Sequence, residues 1–137
     1  MKVVAIVVTF EGMPWIDKCL GSLVKSTLPV DVLVVDNNST DGTADKIRSD
    51  YPQVEIVEND SNLGFGQANN IGFGRAIDKQ ADYVFLLNQD AWMEPDTIKV
   101  MVEHAEINKD YGLLSPIQLN GDHTALDQEF ASHLMQG

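Results

Sequence analysis

The stretch KVVAIVVT, residues 2–9, is apolar without alternation and dominated by β-branched side chains. Such side chains are stiff at χ1, crowd a helix and fit a pleated surface, so the run reads as a strand. A strand with one wet face alternates polar and apolar residues. This one does not, so both of its faces are covered, as in a parallel sheet sandwiched between helices. DVLVVD (residues 31–36), VEIVEN (54–59) and DYVFLLN (82–88) repeat the theme, and GLLSPIQL (112–119) reads as a fifth strand.

Helical patterns fill the gaps. Ile16, Cys19, Leu20, Leu23, Val24 and Thr27 recur at helical spacing after Pro14, a residue tolerated at a helix start. NNSTDGTADKIRSDY (residues 37–51) is a turn into a short helix, with Ser39, Thr40 and Asp41 as candidate N-caps. A glycine-rich segment runs into a helix over residues 68–79, and a further helix from about Pro95 carries Ile98, Met101, Val102 and Ala105 on one face. Strands alternating with helices make an α/β, mainly parallel sheet with helices on both faces. No repeat, low-complexity tract or linker interrupts it. After NGD at Asn120, a hairpin-type turn, periodicity weakens.

Composition narrows the function classes. The 137 residues suit one domain or part of one, and 44% are hydrophobic, enough for a core. The early apolar run VVAIVV is far shorter than the roughly 20 residues of a membrane span. No basic segment precedes a long apolar stretch, which argues against a signal peptide. The single cysteine, Cys19, has no internal disulfide partner and falls on an apolar helical face, which makes it a core residue. The net charge of −12 argues against a nucleic-acid backbone as partner. An anionic ligand would need backbone N–H groups or a metal ion to hold it.

In open parallel sheets, ligands bind beyond the carboxyl ends of the strands. Those ends give Thr9, Phe10, Glu11 and Gly12; Asp36, Asn37 and Asn38; Asn62, Leu63, Gly64, Phe65 and Gly66; and Asn88, Gln89 and Asp90. Each Asp or Asn alone is an ordinary turn residue. Together on one edge they make a polar pocket. Gly64, Gly66, Gly72 and Gly74 cluster although glycine weakens helices, which leaves close packing, positive φ or a nearby ligand as readings. Neither G-x-x-x-x-G-K-[ST] nor a correctly spaced G-x-G-x-x-G is present, which disfavours a P-loop enzyme or a dinucleotide dehydrogenase. Trp92 and Met93 read as packing residues rather than a sugar platform.

The order VVTFEG, VVDNNSTDGT, NLGFGQANNIG, FLLNQDAWMEPD resembles family 2 of the nucleotide-sugar glycosyltransferases, with bacterial rhamnosyltransferase-like members nearest. The resemblance covers residues 2–119 and implies a GT-A fold, Rossmann-like in its sheet. It implies that Thr9, Phe10 and Asp36 serve the base and ribose of a nucleotide, that Glu11 and Asn38 are further nucleotide-binding residues, and that Asn62, Gly64 and Asn69 run beside the diphosphate. Asn88-Gln89-Asp90 stands at the Asp-x-Asp-type motif, so Asp90 is the expected ligand of Mg²⁺ or Mn²⁺ and Asn88 a nucleotide-binding residue that contacts the sugar or a metal-bound water. Asn88 stands where the family often has Asp, and Glu11 where it often has Asn.

The implied function is transfer of a sugar, with inversion, from a nucleotide-diphosphate donor to a hydroxyl of a glycan or lipid-linked acceptor in cell-surface polysaccharide synthesis. The implied setting is the cytoplasm or the inner face of the membrane. A divalent cation neutralises the charge that develops on the leaving diphosphate, and both candidate cations prefer oxygen ligands. Residues 1–119 are then the donor-binding core and 120–137 the start of an acceptor-side region. The general base of the family lies in its second half, so it is expected beyond Gly137, and residues 1–137 alone are expected to bind donor without transferring sugar. The alternative is a truncated or degenerate nucleotide-binding module.

Overall fold

The computed structural model describes residues 1–134. The element order is β1 (Val3–Thr9), α1 (Ile16–Val24), β2 (Asp31–Asp36), α2 (Thr43–Asp50), β3 (Glu55–Glu58), α3 (Phe65–Asp78), β4 (Tyr83–Leu86), α4 (Thr97–Ile107) and α5 (Gln128–Leu134). The four strands form one parallel sheet in the order β3-β2-β1-β4. β1 and β2 pair from Val4↔Asp31 to Thr9↔Asp36, and β1 and β4 from Val3↔Tyr83 to Ile6↔Leu86.

Every residue of β1 is buried, as its lack of alternation predicts. Val4, Ile6, Val8, Leu33 and Val35 point to one face and cluster there with Ala68 and Ala76 of α3. Gly72 lets α3 come close: a Cβ built there would lie 2.7 Å from Ile6 Cγ2 and 2.9 Å from Ile6 Cδ1. The opposite face carries Val3, Ala5, Val7, Val32 and Val34, all buried as well. The β1–α1–β2 and β2–α2–β3 crossovers run in one direction along the sheet and the crossover through α3 runs back. With right-handed connections, α1 and α2 therefore cover the face opposite α3. Their buried residues Ile16, Cys19, Leu20, Leu23 and Ile47 supply that layer.

The chain forms two compact units, Met1–Val100 and Met101–Gly137, and the break falls inside α4. The first holds the whole sheet. In the second, GLLSPIQL does not form the expected fifth strand. Among the described residues its only ladder contact is an isolated antiparallel bridge, Leu119↔Leu126. Pro116 lacks the N–H a ladder needs, and Leu113 is 95% exposed. An apolar run became no strand because no neighbour pairs with it.

The turn expected at Asn120 does form. Asn120 Oδ1 accepts from the Thr124 and Ala125 amides, and the Asp127 amide donates to the Gln118 carbonyl. Asp127 then caps α5, accepting from the Glu129 and Phe130 amides. The expected acceptor-side segment 120–137 is described as far as Leu134; its last three positions lie outside the described residues.

Candidate functional site at the carboxyl edge of the sheet

The chain moves from β1 to β2 to β3 in one direction, then returns to place β4 on the other side of β1. Ladder pairing of β1 with β4 stops at Ile6↔Leu86, short of the end of β1 at Thr9. A crevice therefore opens between their carboxyl ends, the place where open α/β sheets bind ligands, while the segment after β4 packs on α1 and the turn after it through Trp92 and Pro95. Four loops meet along this edge.

The first is built on Asp36. The last register pair of β1 and β2 is Thr9↔Asp36, and both side chains are buried, at 0% and 1% exposure. The hydroxyls of Thr9 and Ser39 each donate to Asp36 Oδ1 at 2.6 Å, and the Ser39 amide donates to Oδ2 at 2.8 Å. A carboxylate has about four lone-pair sites. Three are engaged within the protein, which leaves one, on Oδ2. Thr9 reaches the site only through Asp36.

The turn after β1 is held by its amides. The N–H groups of Phe10, Glu11, Gly12 and Met13 donate in succession to Gln89 Oε1, Ser39 Oγ, Thr43 Oγ1 and Asp41 Oδ2, each at 3.0 Å. This turn thus offers no row of free amides to an anion, in keeping with the missing phosphate-loop motifs. Glu11 adopts φ 50° and Asn38 φ 64°, left-handed conformations that Asn tolerates better than Glu. Glu11 is held there by its own carboxylate, which accepts from the Thr40 amide and hydroxyl.

None of Ser39, Thr40 and Asp41 caps α2 in the usual way. The N-cap is Gly42, at φ 90°, without a side-chain cap. Asp41 instead accepts from the amide and hydroxyl of Thr43 and from the Met13 amide. Desolvation pushes the Asp41 carboxyl up, but these hydrogen bonds outweigh it and hold it below the usual carboxylate range.

The third loop enters α3. Asn37, buried, donates through Nδ2 to the Gly64 carbonyl and accepts at Oδ1 from Asn59 Nδ2, so it ties this loop to the end of β2. Asn62 accepts from the Gly64 amide in a local turn, and Gly64 takes φ 82° as the N-cap. α3 begins at Phe65, three residues before the expected start. Its first N–H groups have no partner within the helix, which is inherent in a helix N-terminus. A Cβ at Gly66 would meet open space. Asn69 is buried and its Nδ2 donates back to the Phe65 carbonyl.

The fourth loop is Asn88-Gln89-Asp90. Asn88 and Asp90 are exposed, while Gln89 turns inward to Phe10. The buried Cys19 thiol donates to the Asn88 carbonyl at 3.5 Å. Burial, with the Asp90 charge adding to it, pushes this thiol up to about 12, so Cys19 stays protonated and is the core residue expected.

Among the described residues no three His, Cys, Asp or Glu side chains form a metal cage. One exposed carboxylate, Asp90, with one exposed amide, Asn88, does fit a hard cation that keeps waters and takes most of its ligands from a bound diphosphate. The face of Trp92 is occupied by Lys18, whose Nζ lies 3.3 Å from the ring centroid.

A cavity of about 760 Å³ lies elsewhere. It is lined by Val30, Asp31, Val54 and Glu55, at the opposite ends of the strands, and contains none of these groups. Among the described residues, no helix is long and apolar enough to cross a membrane.

The family described as Glycosyl transferase family 2 matches residues 4–130. An N-acetylglucosaminyl-diphospho-decaprenol L-rhamnosyltransferase of Mycobacterium tuberculosis is 31% identical over 121 residues, covering 82% of this chain and 39% of that protein. The S. aureus TarS fragment 1–349, solved with UDP-GlcNAc, superposes with a TM-score of 0.68 at 22% identity, over 88% of this chain and 39% of that one. The mannosyltransferase PcManGT of Pyrobaculum calidifontis, solved with GDP-Man and Mn²⁺, gives 0.69 at 25% identity, over 85% and 33%. The sheet and its flanking helices are thus those of the GT-A fold. The chain spans about two fifths of the rhamnosyltransferase it matches.

Proposed function

The chain belongs to glycosyl transferase family 2, and from that premise we propose that its carboxyl edge binds a nucleotide-diphosphate sugar whose sugar is passed to the hydroxyl of a glycan or lipid-linked acceptor. The observation that carries this reading is the meeting, at one crevice, of the Asp36 cluster, the α3 N-terminus and the exposed Asn88–Asp90 pair.

In this reading Asp36 accepts a hydrogen bond from the base or ribose through its remaining Oδ2 lone pair. Thr9 and Ser39 fix the direction of that carboxylate. Phe10, Glu11 and Asn38 shape the wall around it, the exposed Phe10 ring giving an apolar surface for a base. Asn62, Gly64 and Asn69 shape the entry to α3, whose first amides lie beside the diphosphate. Asp90 holds Mg²⁺ or Mn²⁺, with Asn88 contacting a metal-bound water or the sugar. When bound, that cation neutralises charge on the diphosphate as it leaves. The protein's own groups orient the donor and keep its ends apart. No side chain of residues 1–134 is assigned as the base that deprotonates the acceptor; Asp127, one candidate by type, is engaged as the α5 cap.

The test is calorimetric titration of UDP, GDP and their sugar conjugates into the chain, with and without Mn²⁺, beside a donor-turnover assay. Metal-dependent binding of one nucleotide class supports the reading. Absence of binding by every nucleotide, with and without Mn²⁺, rejects it.

A further inference from the structure

Gln89 is the middle residue of the triplet and, unlike its exposed neighbours, turns inward. Its Oε1 accepts from the Phe10 amide and its Nε2 donates to the Phe10 carbonyl, both at 3.0 Å. One carboxamide thus satisfies both backbone groups of one residue, as a neighbouring strand would. Strand pairing between β1 and β4 ends at Ile6↔Leu86, with one more bond from the Leu87 amide to the Ile6 carbonyl. Beyond that point the backbones part, and Gln89 supplies the next rung across the crevice with its side chain.

Gly12 makes room for this rung. A Cβ there would lie 2.7 Å from Gln89 Oε1. Gly12 has no positive φ to explain it, so the close approach does. On the other side, the Cys19 thiol meets the Asn88 carbonyl. The triplet is therefore anchored at its first and middle residues, and Asn88 and Asp90 are left exposed on either side of the anchor.

We propose that Gln89 is a positioning residue: by clamping Phe10 across the crevice, it fixes the backbone that presents the Asp90 carboxylate to a divalent cation, with Gly12 as the required gap. This rests on the reading of Asp90 as cation ligand given above. Groups that orient a ligand without touching the metal typically contribute about 10- to 100-fold in metal affinity.

The experiment follows Mn²⁺, titrated in the presence of saturating UDP or GDP, by paramagnetic broadening of backbone amide signals, in the intact chain. In the unsubstituted protein the amides of Asn88–Asp90 should broaden first, and Asp90→Ala should abolish this. Gln89→Ala and Gln89→Met should each raise the Mn²⁺ midpoint about tenfold or more while the melting temperature stays within a few degrees. The Met variant keeps the bulk and removes only the two hydrogen bonds. Gly12→Ala, which pushes the carboxamide away, should give the same loss, and the Gly12→Ala/Gln89→Ala double variant should lose no more than either alone.

An Mn²⁺ midpoint unchanged in both Gln89 variants overturns the proposal while leaving Asp90 as ligand. Additive losses in the double variant overturn the role of the Gly12 gap. No selective broadening in the unsubstituted protein rejects the metal assignment itself, and this inference falls with it.

Discussion

Thr9 and Asp36 are register partners at the ends of β1 and β2, and the Thr9 hydroxyl donates to Asp36 Oδ1 at 2.6 Å in a buried setting. The residue proposed for ligand binding is thereby also a structural member. Asp36→Ala would strand the Thr9 hydroxyl and two donors of Ser39. It is expected to cost about 3 kcal/mol of stability, since a hydrogen bond to a charged group is worth about 1.5–3 kcal/mol. Thr9→Val, which removes one donor and keeps the shape, should cost about half of that. Urea denaturation of both variants measures this. Any loss of nucleotide affinity in Asp36→Ala must be read after the fold is shown to be intact at the assay temperature.

Asp90 behaves differently, because it is exposed and lies outside the hydrogen bonds given above for the described residues. Asp90→Ala should leave the denaturation midpoint within about 0.5 kcal/mol of the parent, the usual range for surface substitutions. It should remove the Mn²⁺-dependent part of nucleotide binding. Calorimetry with and without Mn²⁺ decides: the same metal enhancement in both proteins would displace Asp90 from this role.

Cys19 gives a pH dependence with a definite sign. Its folded value, about 12, lies above the ordinary 9.0, so the unfolded chain loses the thiol proton first. Its contribution is fully present below pH 9 and declines as pH rises from about 9 to about 12, by at most about 1.4 kcal/mol per pH unit. Tyr51, Lys46 and Lys79 also titrate high, so the measurement is the difference between the parent and Cys19→Ala across that window. A difference that does not change with pH would refute it. Native Cys19 should likewise resist alkylation at pH 8 until the protein unfolds.

The glycines of α3 separate packing from binding. Gly72→Ala drives a methyl against Ile6 and should destabilise by about 1–3 kcal/mol. Gly66→Ala and Gly74→Ala meet open space and should stabilise by about 0.5–1 kcal/mol, the helix preference of Ala over Gly. Gly66 lies in the first turn, so its substitution should also weaken nucleotide-diphosphate binding, whereas Gly74→Ala should not. Thermal melts and titrations of the three variants test both halves.

β1 and β2 were legible in the sequence because burial on both faces leaves a continuous apolar run, a local signal. GLLSPIQL carries the same signal and forms no strand, since pairing depends on a neighbour that composition does not reveal. The strand-end residues of the site were legible as types, and the fold gathers Asp36, Asn62, Gly64, Asn88 and Asp90 along one edge. What stayed hidden was who holds whom. Ser39, Asn37, Thr43 and above all Gln89 act through partners 22 to 79 positions away, and no periodicity encodes such a pairing.

β1 lies between β2 and β4, yet β4 is made last of the four strands. During synthesis at about 5–20 residues per second, some 4–16 s separate the appearance of Phe10 from that of Gln89. Throughout that interval the most apolar strand of the chain has one edge unpaired, open to another nascent copy. A chain interrupted before Tyr83 would keep that edge open indefinitely. The arrival of one late strand therefore both completes the crevice and ends the period in which β1 is most prone to aggregate.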